Sequence, residues 1–313
     1  MKKQVEQKIR HRVRHGTGQY TESKPDPNAS SRAESNHPVS TFSTSDAEHP
    51  SSTMLVSVTG AGKSYGNHRA LKDINWQIAE GEWWGVVGAN GSGKSTLLQL
   101  IAGTEERSTG QITIDGRDIG SYSRKDLSRM IAVLQQDGLP AISYPVRDVV
   151  EMGRYPYQNW LGRESADGAR VVDSVLEELG LTELAERPLD SLSGGQRQRV
   201  ALAKVMAQEP RLLLLDEPTT FLDIKYQMQF MELLAAWQQK NNITIVAVLH
   251  DLNLAALFCD HILALREGSV AGKGTPASLM TEEQIRNIFR VEPVMVSHPD
   301  HAVPQLLLRR DIK

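Results

Sequence analysis

The apolar run Trp83 to Val87 leads without a break into Gly88-Ala89-Asn90-Gly91-Ser92-Gly93-Lys94-Ser95, and Leu97, Leu98, Leu100 and Ile101 follow at helical spacing. No other stretch restricts the fold as much. A strand that must turn into a helix through this glycine-rich loop matches G-x-x-x-x-G-K-[ST] in the setting that motif requires. The glycines let backbone N–H groups curl around phosphate oxygens, and the helix turns the positive end of its dipole toward them. Gly103 stands where that helix needs a C-cap. Two further runs, Arg211 to Leu215 and Ile243 to Leu249, are almost continuously apolar, the mark of parallel strands covered on both faces. An α/β chain built on a central parallel sheet is the expectation.

Around that sheet the sequence changes character. Met54 to Val58 and Ile74 to Ile78 alternate and are separated by turn-rich sequence, as in an antiparallel sheet. Beyond Gln136 helical patterns dominate from Val146 to about Gly180, with Val171, Val172, Val175, Leu176 and Leu179 at helical spacing, so an all-helical insertion is expected there. From Met1 to Thr53 the chain is rich in Ser, Thr, Pro, His and charge and reads as a disordered tail, since it has little apolar surface to offset its ordering entropy. Its basic start lacks the apolar core of a secretory signal. In all, 313 residues with 40% hydrophobic content suit one globular unit and a tail.

Several function classes drop out. The net charge of -3 gives no basic field for nucleic acid, and Cys259, alone, makes neither a disulfide nor a cysteine zinc cluster. No run approaches the ~20 apolar residues of a membrane helix.

The chemistry is carried by a few side chains. Lys94 would reach the β- and γ-phosphates of a nucleotide, and Ser95 would ligate Mg²⁺, with Thr96 grouped among the phosphate contacts. Asp216 and Glu217 stand at the carboxyl end of a buried strand, where open α/β sheets place ligands. There Asp216 can hold Mg²⁺ and Glu217 can polarise an attacking water. His250 occupies the same edge of another strand and is positioned to order that water and bond the γ-phosphate. Gln136, chosen over Gln135 because Asp137-Gly138 turns the chain at once, is expected at Mg²⁺ and at a hinge. Tyr65 is expected to stack on adenine, while Trp83 and Trp84 pack the sheet.

A second anion site follows. Ser193 reads as the N-cap of a helix that begins, after Gly194 and Gly195, at Gln196. The insertion separates this helix start from the Gly88 loop. One γ-phosphate cannot readily meet both within one chain, so a second copy must complete the match.

In this order the elements resemble the nucleotide-binding subunit of ATP-binding cassette transporters, from Met54 to about Leu308. Gly88 to Ser95 is similar to the Walker A loop, Gln136 to the Q-loop, Leu192 to Gln196 to the LSGGQ signature and Leu212 to Glu217 to Walker B. Thr220 to Asp223 is similar to the D-loop and His250 to the switch histidine. Thr220-Phe221 departs from the residues usual before Leu-Asp, so Asp223 carries the likeness there. The resemblance implies a RecA-like P-loop NTPase core over 54–136 and 208–275 that includes an antiparallel β-subdomain. It also implies an inserted α-helical subdomain over 137–207 and a C-terminal extension over 276–313. It implies ATP and Mg²⁺, a head-to-tail dimer of two copies, and transmembrane permease subunits met at the cytoplasmic face of the membrane. An extracytoplasmic substrate-binding protein would act indirectly.

Arg147 to Val150, Met152 to Tyr157, Gly274-Thr275-Pro276 and His298-Pro299-Asp300 resemble the uptake group for iron chelates, haem and cobalamin. Ferric siderophore import is the expectation. Import of another cargo stays open, as does a soluble cassette protein acting on ribosomes or DNA. Against the latter stand the absence of a second cassette, of a coiled coil and of a basic face.

Overall fold

A computed structural model describes residues 53–136, 139–140, 143–159, 164, 167–220 and 222–309. The expected tail lies outside them except for Thr53, whose carbonyl already accepts the Glu80 N–H. The turn at Asp137-Gly138 and the departure at Phe221 also fall outside.

The apolar runs form strands β3 (Trp83–Val87), β6 (Ile131–Leu134), β7 (Leu212–Asp216), β8 (Thr244–Val248), β9 (His261–Arg266) and β10 (Ser269–Gly274). They make one sheet in the order β10-β9-β3-β8-β7-β6, parallel from β9 to β6, with β10 antiparallel on the edge. Their side chains alternate between two cores. Trp83, Leu213, Leu215, Ile245 and Ala247 face one, and Trp84, Val86, Leu212, Leu214 and Val246 face the other. At the period of 2 residues that a strand imposes, burying both faces demands apolar side chains at every position, which is why these segments show no polar alternation.

The second core is closed by helix α1 (Lys94–Ile101) and by an antiparallel sheet of β1 (Met54–Tyr65), β2 (His68–Ala79), β4 (Thr109–Ile114) and β5 (Arg117–Asp118), in the order β2-β1-β4-β5. β1 and β2 run to 12 residues each, well past the segments expected from alternation. Bulges at several steps of their pairing disturb the period of 2, and so hide the strand ends from the sequence.

Among the described residues, no named strand lies between β6 and β7. That stretch holds α3 (Val146–Glu151), α4 (Asp167–Glu178) and α5 (Gly194–Ala207), besides short 3₁₀ turns. α2 (Arg124–Met130) precedes β6. Helices α6 (Ile224–Asn241) and α7 (Leu252–Phe258) follow β7 and β8, and α8 (Pro276–Leu279), α9 (Glu282–Phe289) and the hairpin β11 (Pro293–Ser297) with β12 (Pro304–Leu308) end the chain. The α/β reading with an antiparallel sheet and inserted helices holds.

Candidate nucleotide-binding site

β3 delivers the chain into a loop whose backbone only glycine tolerates at two points. At Gly93 (φ +103°) a Cβ would lie 2.6 Å from Leu71 and 2.8 Å from the Ala70 carbonyl. At Gly88 (φ +151°) it would lie 2.3 Å from the Leu265 carbonyl. The loop is thereby wedged between β2 and β9, and it opens onto a cavity of about 470 Å³. Tyr65, Asn90, Gly91, Gly93, Lys94, Ser95, Thr96, Gln136, Glu217 and His250 line that cavity together.

Gly88 and Ser92 do not line it. The Ser92 N–H closes a turn on the Ala89 carbonyl (3.1 Å), and its hydroxyl is buried without a partner. These two residues shape the loop rather than face the cavity, because the same turn that exposes Gly91 and Gly93 points Ser92 inward.

Lys94, only 6% exposed, donates to the carbonyls of Gly88 (3.0 Å) and Ala89 (3.2 Å). Burial pulls its ammonium below the ordinary lysine range, against the opposing pull of Glu217 and Asp216. Ser95 Oγ donates to Asp216 Oδ1 at 3.1 Å. The Asp216 carboxyl is pushed up, first by burial and then by the neighbouring Glu217, while the Ser95 hydrogen bond works the other way. Asp216 is half-buried and does not itself line the cavity, but its carboxylate, with the exposed Ser95 hydroxyl and Gln136 amide oxygens that do, offers the hard donors that suit Mg²⁺. The residues present fit a nucleotide with its metal.

Glu217 sits just past β7 in a left-handed backbone conformation (φ +51°), unusual for a residue with a side chain. Gln136 Nε2 donates to its Oε2 at 2.8 Å and Thr220 Oγ1 at 3.3 Å, while His250 Nε2 meets Oε1 at 2.5 Å. The carboxylate is therefore aimed from three sides. Strain of this kind persists where surrounding contacts over-determine it.

Tyr65 ends β1 at the cavity rim, 45% exposed, with Lys63 Nζ 4.8 Å from its ring centroid. His68 and Ala70 of β2 line the cavity as well. Neither belongs to a motif, since only the pairing of β2 with β1 brings them there. Trp83 and Trp84 are buried in the two cores, as expected.

The remaining expected residues lie elsewhere. Ser193, Gly194, Gly195 and Gln196 do not line the cavity. Ser193 caps α5 as expected, but the helix starts at Gly194, not Gln196. Ser193 Oγ accepts the Gln196 N–H, and Gln196 Oε1 accepts the Ser193 N–H, so the Gln196 side chain is spent on a capping box. The S-x-x-Q spacing carried that signal. Asp223 caps α6 by accepting the Tyr226 N–H (3.0 Å) and is also away from the cavity.

Residues 71–220 match the profile of the ABC transporter family. The chain is 37% identical over 244 residues to the iron(3+)-hydroxamate import ATP-binding protein FhuC of Bacillus subtilis, covering 78% of this chain and 91% of that one. Its fold is similar to an inward-facing metal-chelate type ABC transporter (TM-score 0.72, 28% identity, 82% of this chain and 98% of that one). It is also similar to the dimeric bacterial ABC transporter cassette MJ0796 (TM-score 0.62, 28% identity, 71% and 98%). With the glycine loop, the paired carboxylates and the capped second helix in one cassette, this chain belongs to the ATP-binding cassette transporter family, as an ATP-hydrolysing subunit.

Proposed function

We propose that the chain binds ATP with Mg²⁺ in the Gly88 loop cavity and, as a head-to-tail dimer under a membrane permease, uses hydrolysis to drive import of a ferric siderophore or related metal chelate. The observation that carries the hydrolytic part is the Glu217 carboxylate held by Gln136, Thr220 and His250 at the cavity that also holds Lys94 and Ser95. The cargo rests on the likeness to an iron(3+)-hydroxamate import protein and to a metal-chelate type transporter. The dimer rests on the likeness to a dimeric cassette and on the α5 start not being among the residues that line the cavity.

Residues 54–136 and 208–275 form the nucleotide-binding core with its β-subdomain, 137–207 the helical subdomain, and 276–313 a C-terminal extension. No described helix is long and apolar enough to cross a membrane. The chain sits at the cytoplasmic face and meets the bilayer through its permease. An extracytoplasmic substrate-binding protein hands over the chelate. Nucleic acid has no part, in keeping with a net charge of -3.

In hydrolysis the Glu217 carboxylate accepts a proton from the attacking water as its oxygen bonds to the γ-phosphorus and the bond to the β-phosphate bridging oxygen breaks. Gln136 and Thr220 keep Oε2 aimed. His250 Nε2, 2.5 Å from Glu217 Oε1, would turn its N–H from that carboxylate to a γ-phosphate oxygen when nucleotide binds. Tyr65 stacks on the base, and Lys94 supplies positive charge to the phosphates. Ser95, Asp216 and Gln136 would hold Mg²⁺, which supplies charge neutralisation at the phosphate oxygens. Ser193, Gly194, Gly195 and Gln196 of a second copy, with its Asp223 nearby, close the site.

Glu217→Gln tests this reading. ATP binding persists, steady hydrolysis falls by at least ~10³-fold, and the protein accumulates as an ATP-bound dimer on size-exclusion chromatography. Continued turnover in that variant would remove Glu217 from the chemistry.

A further inference from the structure

The α5 start and the loop behind Glu217 belong to different halves of the molecule's chemistry, yet side chains join them within one chain. Gln198, on the second turn of α5, donates its Nε2 to the carbonyl of Pro218 at 2.9 Å. Pro218 follows Glu217 directly, and it is buried, as is Thr219. Gln227 of α6 donates to the Thr219 carbonyl at 3.0 Å, the Leu222 N–H donates to the same carbonyl at 3.1 Å, and the Thr220 N–H to that of Glu217 at 3.3 Å. The described residues from Glu217 to Asp223 are thus cross-tied, with Asp223 capping α6. α5 grips this unit a second time at its very start: a Cβ on Gly195 would lie only 3.2 Å from the Tyr226 ring of α6.

These contacts leave α5 and the Glu217 loop little freedom to move independently. A buried carbonyl that loses its donor must find another or shift, and Pro218 cannot compensate through an N–H of its own. Glu217 already holds a left-handed backbone that its surroundings must enforce.

We propose that Gln198 is a positioning residue that couples the two ATP sites of the dimer: docking of the Ser193 to Gly195 start on a second copy's nucleotide pulls α5 into the place where the Pro218 contact aligns Glu217 in the chain's own cavity. The inference rests on the composite dimer proposed above. It assigns to the signature helix a role within its own chain, as well as its contact in the opposite site.

Gln198→Met removes the donor while keeping an unbranched, helix-favouring side chain, and Gln198→Lys restores a donor on a similar stem. ATPase rate against ATP concentration, nucleotide affinity by fluorescent-ATP titration and Tm are measured for the full chain and both variants. Met is expected to lower kcat on the order of ten- to a hundredfold, as small misplacements of a catalytic group do, with nucleotide affinity within about twofold of wild type. The Hill coefficient for ATP falls toward one in Gln198→Met, and Lys recovers most of both losses. An unchanged kcat and Hill coefficient in Gln198→Met overturns the coupling. So does a parallel loss of kcat, affinity and Tm, which marks a merely structural contact. Wild type and Glu217→Gln run alongside: absence of ATPase in wild type would sink the hydrolytic reading itself, whereas normal wild-type turnover with an indifferent Gln198 sinks only this inference. Should Gln198→Met fail to fold, Tyr226→Ala, which loosens the second grip, must lower the Hill coefficient as well.

Discussion

Asp216 is where binding chemistry costs the empty protein something. Its carboxyl is held above the ordinary range by burial and by Glu217 beside it, so the folded chain takes up a proton there more readily than the unfolded chain does. The stabilisation from that proton is complete below the unfolded pKa and is lost as pH rises through the higher folded value. Above that folded value the nucleotide-free protein carries an ill-solvated negative charge there. Asp216→Asn is expected to raise Tm at pH 7 in the absence of nucleotide and Mg²⁺, and the gain over wild type should shrink as the pH is lowered toward 4, while ATP turnover is lost. Paired thermal melts across that range decide it, since a gain constant with pH would assign the effect to packing. The type of each such residue was readable in the sequence: Lys94, Ser95, Asp216, Glu217 and His250 stand at strand ends or in the glycine loop, where chain direction alone dictates exposure to one edge of the sheet. What each side chain touches was not. Lys94 folds back on the carbonyls of Gly88 and Ala89 through the curl of the glycine loop, and Gln136 reaches Glu217 across 81 residues because β6 and β7 lie side by side.

At the scale of elements, the helix after β8 shows how a segment without a motif is anchored beside a site residue. Asp251 caps α7 by accepting the N–H groups of Asn253 and Leu254. The Asn253 amide then pairs with the backbone of β12, donating to the Leu306 carbonyl (3.2 Å) and accepting the Leu306 N–H (2.6 Å). A single side chain mimics one rung of a sheet, three residues from His250. Asn253→Ala removes both hydrogen bonds and leaves two partly buried backbone groups of Leu306 to be rehydrated, a loss of about 1 to 3 kcal/mol. Tm should fall by roughly 3 to 8 °C, and limited proteolysis should cut first within 290–309; a melt identical to wild type would show that the hairpin is held by its apolar contacts alone. The sequence marked His298-Pro299-Asp300 and ignored this clamp, since no spacing links Asn253 to Leu306. The insertion tells the same story. Of the stretch Met152 to Tyr157, singled out for its likeness to the iron-chelate, haem and cobalamin uptake group, Arg154 is turned inward onto Glu164, Glu209 and the Ala207 carbonyl, whereas Tyr155 is 60% exposed. Helical periodicity cannot separate them, because the segment is a 3₁₀ turn containing Pro156.

Across the whole molecule, one cavity carries the hydrolytic side chains and a separate, exposed helix start carries Ser193 and Gly194 with no ligand-facing partner in the same cavity. In the head-to-tail dimer proposed above, each cavity would receive the helix start of the other chain. That arrangement makes a sharp complementation test. Ser193→Arg places a bulky cation at the helix start but leaves Glu217 intact, and Glu217→Gln leaves the helix start intact but removes the carboxylate. Each homodimer has two defective sites and is expected to be inactive. In the mixed dimer, the cavity of the Ser193→Arg chain faces the unaltered helix start of the Glu217→Gln chain, so one complete site returns and the other carries both defects. With random pairing and independent sites the mixture recovers about one quarter of wild-type turnover per chain, and coupling between sites pulls it lower. If each chain instead closed its own site, every active site in the mixture would keep one lesion, and mixing would restore nothing. Measurable ATPase on mixing two inactive proteins thus separates the shared site from the self-contained one, whatever the cargo above it.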